Sequence, residues 1–347
     1  MDQRLKRCCV ESTILGQPFA WESSIGGNLP CLWYRWCWPD RFRLGSRLNA
    51  DSSKWHQKNA MLRRFIVRAN VKRSIVLIHG FRPAFWGDRA KKATLYSWQR
   101  NDSSLVRCLQ EKGDVYAYCY AQDVTVEECV TPCLVNGVRQ LKKLGYTEIV
   151  LVGHSAGGLI ARLFVEDYPQ SGVTKVVQVS APNRGTQLAG GKWMVADSQK
   201  PFLRSLTEEY RHAVQKRREG KRIPQHIQFV CLVGVLGVSV DLTLPTWLGK
   251  GERTLSLRAG VRSDGVVPCH SQWPAELQAQ GIPAVVLDID HYRVVRTRRG
   301  IERIVDLVCS PQQRWSARRV AAELPAVLGT KTLPATSSNQ DGKADNN

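Results

Sequence analysis

A chain of 347 residues, 43% of them hydrophobic, carries enough apolar material for one large domain with a packed core, which excludes a disordered or fibrous class. Lysine and arginine total 50 against 30 aspartate and glutamate, a formal charge of +20, so the surface attracts polyanions such as anionic lipid. The eleven cysteines show no C-x-x-C spacing, which removes a zinc-ribbon or thioredoxin-type framework and fits free thiols in a reducing compartment.

Residues 1–70 show no sustained period and are read as an irregular N-terminal extension. Trp21, Trp33, Trp36, Trp38 and Trp55 crowd into it. The run from Cys31 to Trp38 suits a membrane-interface or partner-binding patch, because tryptophan favours boundaries between water and apolar matter. Arg4, Lys6 and Arg7 precede no apolar stretch, so no secretory signal is expected. The longest apolar run, Phe229 to Val240, is too short to span a bilayer. The expectation is a cytoplasmic protein, peripheral to membranes where its basic surface meets anionic lipid. No nucleic-acid motif is present, and nothing in the sequence sets an oligomeric state.

From residue 71 the chain becomes orderly. Apolar runs predict strands at 74–78, 115–120, 149–152, 173–179, 227–234 and 283–289. Helices are expected at 103–112, at 124–144 with Pro132 near its start, after residue 156, and at 299–309. Short apolar strands alternating with helices predict an α/β fold, a mostly parallel sheet covered by helices on both faces. Residues 187–226 break the alternation. There Phe202, Leu206, Tyr210 and Val214 recur every four residues among many lysines and arginines, predicting a basic amphipathic helix. It is either a lid that opens at anionic surfaces or a packed cap with a solvated basic face. Residues 235–260 read as a loop region, and 331–347 as a disordered polar tail. The domain therefore spans 71–330, with the cap at about 187–226.

The chemistry centres on Gly153-His154-Ser155-Ala156-Gly157, which fits G-x-S-x-G between a strand and a helix. Such a turn is so tight that residues two before and two after the serine must be small. It exposes the Ser155 hydroxyl at the sheet edge. That hydroxyl needs a base and an acid to orient the base. His291, after the last strand, is the expected base, with His270 the next candidate. Asp264, on a turn with Gly265, is the expected acid, ahead of Asp241, Asp288 and Asp290. The amides of Phe81 and Ala156 are the expected oxyanion donors.

His79-Gly80-Phe81, the 153–158 elbow, Ala181-Pro182-Asn183-Arg184-Gly185-Thr186 and Ser263-Asp264-Gly265-Val266-Val267-Pro268 together resemble the lipase and esterase branch of the α/β-hydrolase superfamily. That branch includes triacylglycerol lipases and inositol-deacylase-like lipases. The resemblance covers about residues 72–310. It implies an α/β-hydrolase fold and cleavage of acyl esters through an acyl-serine, with an ester or lipid substrate and without cofactor or metal. Asn183 departs from the pattern, where a histidine often follows the proline. An acyltransferase with the same triad, or a non-catalytic binding protein on the same fold, would share these motifs.

Overall fold

The computed structural model describes residues 72–83, 90–130, 133–191, 195–235 and 262–329, with the backbone of 10–11, 20–21 and 31–36. The expectations for residues 236–261 and for the 331–347 tail lie outside the described residues.

Nine strands form one sheet: β1 (Val10–Glu11), β2 (Ala20–Trp21), β3 (Cys31–Trp36), β4 (Arg73–Ile78), β5 (Asp114–Tyr120), β6 (Glu148–His154), β7 (Val173–Val179), β8 (Gln228–Val235) and β9 (Ala284–Asp288). Their order is β2-β1-β3-β5-β4-β6-β7-β8-β9. From β5 to β9 every pairing is parallel, and β3 pairs antiparallel with β5 along its whole length. The β4 pairings place it between β5 and β6, so the chain crosses over twice near the middle of the sheet.

The strands read as unbroken apolar runs because both faces are covered. Along β4, Val76 and Ile78 enter one core layer while Ile75 and Leu77 enter the other, the period of two that a pleated strand imposes. Helices α1 (Ser104–Gln110) and, later, α8 (Arg298–Cys309) supply the second layer through Leu105, Leu109, Ile304 and Val308. The first layer holds α2 (Cys133–Lys143), α3 (Ala156–Asp167), α4 (Lys200–Arg204), α6 (Cys269–Gln272), α7 (Ala275–Gln278) and α9 (Ala317–Leu328), and α5 (Glu208–Arg217) follows α4. Full burial of a side chain such as Phe164 or Trp273 stabilises the fold by roughly 1.5–3 kcal/mol each.

Four expectations differ from the structure. The range 1–70 is not wholly irregular, because β1, β2 and β3 extend the sheet from it. The Trp- and Tyr-rich composition at 31–36 is that of a strand, since large aromatics favour pleated surfaces. The helix expected at 124–144 begins only at Cys133, and Pro132 lacks the N–H that a helix interior uses. The single cap helix is two, α4 and α5, with Thr207 capping the second by accepting a hydrogen bond from Tyr210 N at 3.3 Å. Its apolar stripe largely survives the break: Phe202 and Leu206 join the first layer, Val214 is buried and Tyr210 is half-buried. Finally, α8 does not close the fold. α9 follows it, packed on the first layer through Val320, Leu324 and Val327, and just before it the Trp315 ring stands edge-on to Trp273 at 6.0 Å.

Candidate active site

Ser155 stands between β6 and α3 with φ 56° and ψ −128°, backbone angles that a side chain disfavours. Neighbouring bonds hold it there. Its N–H donates to Val179 O at 2.8 Å, and its carbonyl accepts from Gly158 N at 2.9 Å. Close approach explains the glycines. A Cβ on Gly157 would lie 2.2 Å from Ile78 O, and one on Gly80 would lie 2.5 Å from Ser155 Cβ. The end of β4 therefore passes directly against the elbow, which brings the 79–82 loop beside the serine.

Asp264 and His291 meet at the ends of the next strands. Ser263 and Pro268 bridge a tight turn, with Gly265 at φ 92°. Inside it Asp264 Oδ1 accepts from Val266 N at 2.9 Å and from Val267 N at 2.7 Å. Its other oxygen, Oδ2, accepts from His291 Nδ1 at 2.7 Å. The backbones are tied as well, His291 N donating to Asp264 O at 3.0 Å. With Nδ1 carrying the proton, His291 Nε2 is left as the basic nitrogen. Among the described residues no hydrogen bond joins Ser155 Oγ to His291, but both side chains line one cleft of about 50 Å³ with Phe81, Trp98 and Tyr292.

His154 lines the same cleft as Ser155, but its ring is tied to the histidine loop. Its Nε2 donates to the His291 carbonyl at 2.8 Å, which steadies the histidine loop from below. Burial and then the nearby His291 hold its pKa well below the usual histidine value, so it serves as a neutral donor.

The 79–82 loop is clamped through its carbonyls. Tyr120 Oη donates to His79 O at 2.5 Å, Gln122 Nε2 to Gly80 O at 2.8 Å and Tyr96 Oη to Phe81 O at 3.0 Å. Gln199 Nε2, just before α4, donates to Arg82 O at 2.6 Å, and Arg82 N donates to Gln122 Oε1 at 2.9 Å. Fixing every carbonyl of a short loop fixes its peptide planes, and hence where its N–H groups aim. His79 lies beneath, stacked on Tyr120 with centroids 4.3 Å apart, its pKa lowered to about 4 by burial.

The structure thus brings together Ser155, Asp264, His291, Phe81 and Ala156 at one end of the sheet. The weaker candidates fall elsewhere. His270 and Asp288 are exposed, and Asp290 caps a turn by accepting from Tyr292 N and Arg293 N. Asp241 lies outside the described residues. Asn183 has a packing role away from the Ser155 cleft. It accepts from Arg162 and Gln178 and donates to Gln178 and to Gln272 O, which fills its hydrogen-bonding capacity. Tyr96, Gln122 and Gln199 had no sequence signal, since each is an ordinary residue until the fold aims it. Among the described residues no group of three histidine, cysteine, aspartate or glutamate side chains is placed to hold a metal ion. No helix among them is long and apolar enough to cross a membrane.

Residues 120–298 match the family described as PGAP1-like alpha/beta domain, more than half of the chain. Among curated proteins, epoxide hydrolase 4 of Homo sapiens is 32% identical over 117 residues, which is 31% of this chain and 28% of that protein. The matched segment thus spans less than a third of that relative's length. Among solved structures, phospholipase PlaB from Legionella pneumophila in complex with thio-NAD aligns with a TM-score of 0.52 and 14% identity, over 74% of this chain and 62% of that one. The mature lipase BlEst2 of Bacillus licheniformis aligns with a TM-score of 0.49 and 16% identity, over 69% of this chain and 92% of that one. At these identities the PlaB alignment speaks for the fold alone. Taken with the sheet order and the serine elbow, the family match places this chain in the PGAP1-like alpha/beta domain family, within the lipase and esterase branch of the α/β-hydrolases.

Proposed function

We propose that the chain is a serine ester hydrolase of lipase or carboxylesterase type. The observation that carries this is the strained Ser155 facing the cleft that also holds the His291–Asp264 pair. His291 Nε2 takes the hydroxyl proton as Ser155 Oγ attacks the ester carbonyl. The Phe81 and Ala156 amides receive the charge that develops on the carbonyl oxygen, Ala156 from the first turn of α3. Collapse of the intermediate breaks the ester C–O bond, and His291 returns its proton to the leaving alcohol. Water, deprotonated by His291, then attacks the acyl-serine and releases the carboxylic acid. Asp264 keeps the His291 proton on Nδ1 and balances the imidazolium. No cofactor takes part.

Aromatic and aliphatic walls, with Phe81, Trp98 and Val295 among them, suit the acyl part of an ester. The branch assignment supports an ester of a lipid. A formal charge of +20 supports work at an anionic membrane surface. Turnover of p-nitrophenyl butyrate by the wild type and Ser155→Ala is the test. Loss of about 10⁴-fold or more with the fold intact is expected. Full activity in the variant would overturn the assignment.

A further inference from the structure

A second cleft, of about 500 Å³, lies between α3, α5 and the segment 275–280, walled by Leu159, Val214 and Ala279 among others. Seven arginine and lysine side chains line it against three glutamates. The two acids that pair into it from its edge, Glu127 and Asp167, still leave the cations in excess.

The ion pairs do not use up the donors. Arg162 is nearly saturated by Glu166, Glu276 and Asn183, and it forms the floor. Arg211 is different. It is 4% exposed, and among the described residues only its Nη1 is paired, to Glu127. Its Nε is buried and has no hydrogen-bond partner. Arg218 likewise spends both terminal nitrogens on Glu166 and Asp167 and leaves Nε unpartnered. Glu127 Oε2 is equally buried and unpartnered among the described residues, so Arg211 is incompletely neutralised, and its Nη2, neither paired nor fully buried, is the donor left for an anion. Lys216 and Arg222 stand at the rim with no carboxylate partner among the described residues and add attraction at longer range.

We propose that this cleft is a binding site for a phosphate-bearing ligand, separate from the Ser155 cleft. Arg211 Nη2 and the rim cations Lys216 and Arg222 hold the phosphate oxygens. Planar, permanently charged forks suit phosphate better than ammonium groups do. A free phosphate ester and the phosphate headgroup of a lipid present the same chemistry here.

The experiment is calorimetric titration of the full chain at low salt with pyrophosphate, and flotation with vesicles of phosphatidylcholine alone or with phosphatidic acid. The same is done for Arg211→Lys, for the rim variant Lys216→Gln with Arg222→Gln, and for Arg298→Gln as a charge control outside the cleft. Circular dichroism melting confirms that each variant folds, so the rim variant keeps the test valid if Arg211→Lys does not. Saturable pyrophosphate binding, weakened about tenfold in the cleft variants and unchanged in Arg298→Gln, supports a free phosphate ligand. Binding only to phosphatidic-acid vesicles, with the same variant pattern, supports a lipid headgroup. No binding to either probe, or binding that the cleft variants retain, overturns the proposal. Neither readout depends on ester turnover.

Discussion

Asp264→Asn offers a test in which the fold itself dictates the outcome. In the wild type Oδ1 accepts two amide protons, from Val266 and Val267, and Oδ2 accepts the His291 Nδ1 proton. Asparagine has one oxygen and one NH₂ group. Keeping the oxygen against the two amides preserves the turn and leaves the NH₂ facing His291 Nδ1. Two donors cannot share that bond, so the imidazole must move its proton to Nε2, where it can no longer accept one from Ser155. The reverse flip would place the NH₂ against two N–H groups, which is worse by two buried bonds, about 1–3 kcal/mol each. The turn therefore locks the wrong tautomer. In a serine–histidine–aspartate site that defect lowers kcat by about 10⁴-fold, roughly 5.5 kcal/mol of transition-state stabilisation. The assay is kcat/KM for p-nitrophenyl butyrate with circular dichroism on the same samples. A folded variant within tenfold of wild type would refute both the tautomer argument and the role given to Asp264.

Three further outcomes are expected. Gln122→Ala removes a donor to Gly80 O and an acceptor for Arg82 N, so the 79–82 loop should loosen and kcat fall by about 10²-fold with KM little changed; an unaltered kcat would show that the loop is held without it. Gly157→Ala forces a methyl to 2.2 Å from Ile78 O, and a loss of about 3 kcal/mol or a failure to fold should appear in urea denaturation; a variant as stable as wild type would mean that β4 can retreat. The pKa of His79 is about 4 in the fold against 6.5 in the unfolded chain, so between these values the unfolded chain binds the proton first. Its contribution is complete above pH 6.5 and is lost as pH falls toward 4, at most roughly 3 kcal/mol. His79→Gln should flatten that limb of a stability profile, and an unchanged slope would contradict it.

The catalytic candidates were legible because each sits in a local pattern. Ser155 follows an apolar strand and precedes a helix, Asp264 shares its turn with Gly265, and His291 follows a strand directly. The parallel core was legible for the same reason, since unbroken runs such as Ile75–Ile78 belong to strands buried on both faces. What the sequence hid depends on distant partners. The pairing of β3 with β5 joins residues some eighty apart, and tryptophans at 33 and 36 read equally well as a surface patch. The break between α4 and α5 preserves the four-residue stripe, so periodicity alone could not show it. Gln122 and Gln199 bond each other and the 79–82 loop, a relation that exists only once the cap is folded.

The central claim is that Ser155 is an activated nucleophile. Its most direct measurement is reaction of the full chain with a fluorophosphonate probe, read by intact mass and peptide mapping, on wild type and Ser155→Ala. One adduct on the peptide carrying Ser155, absent from the variant, is the result predicted. A folded wild type that stays unlabelled, or that labels equally well after Ser155→Ala, would contradict it.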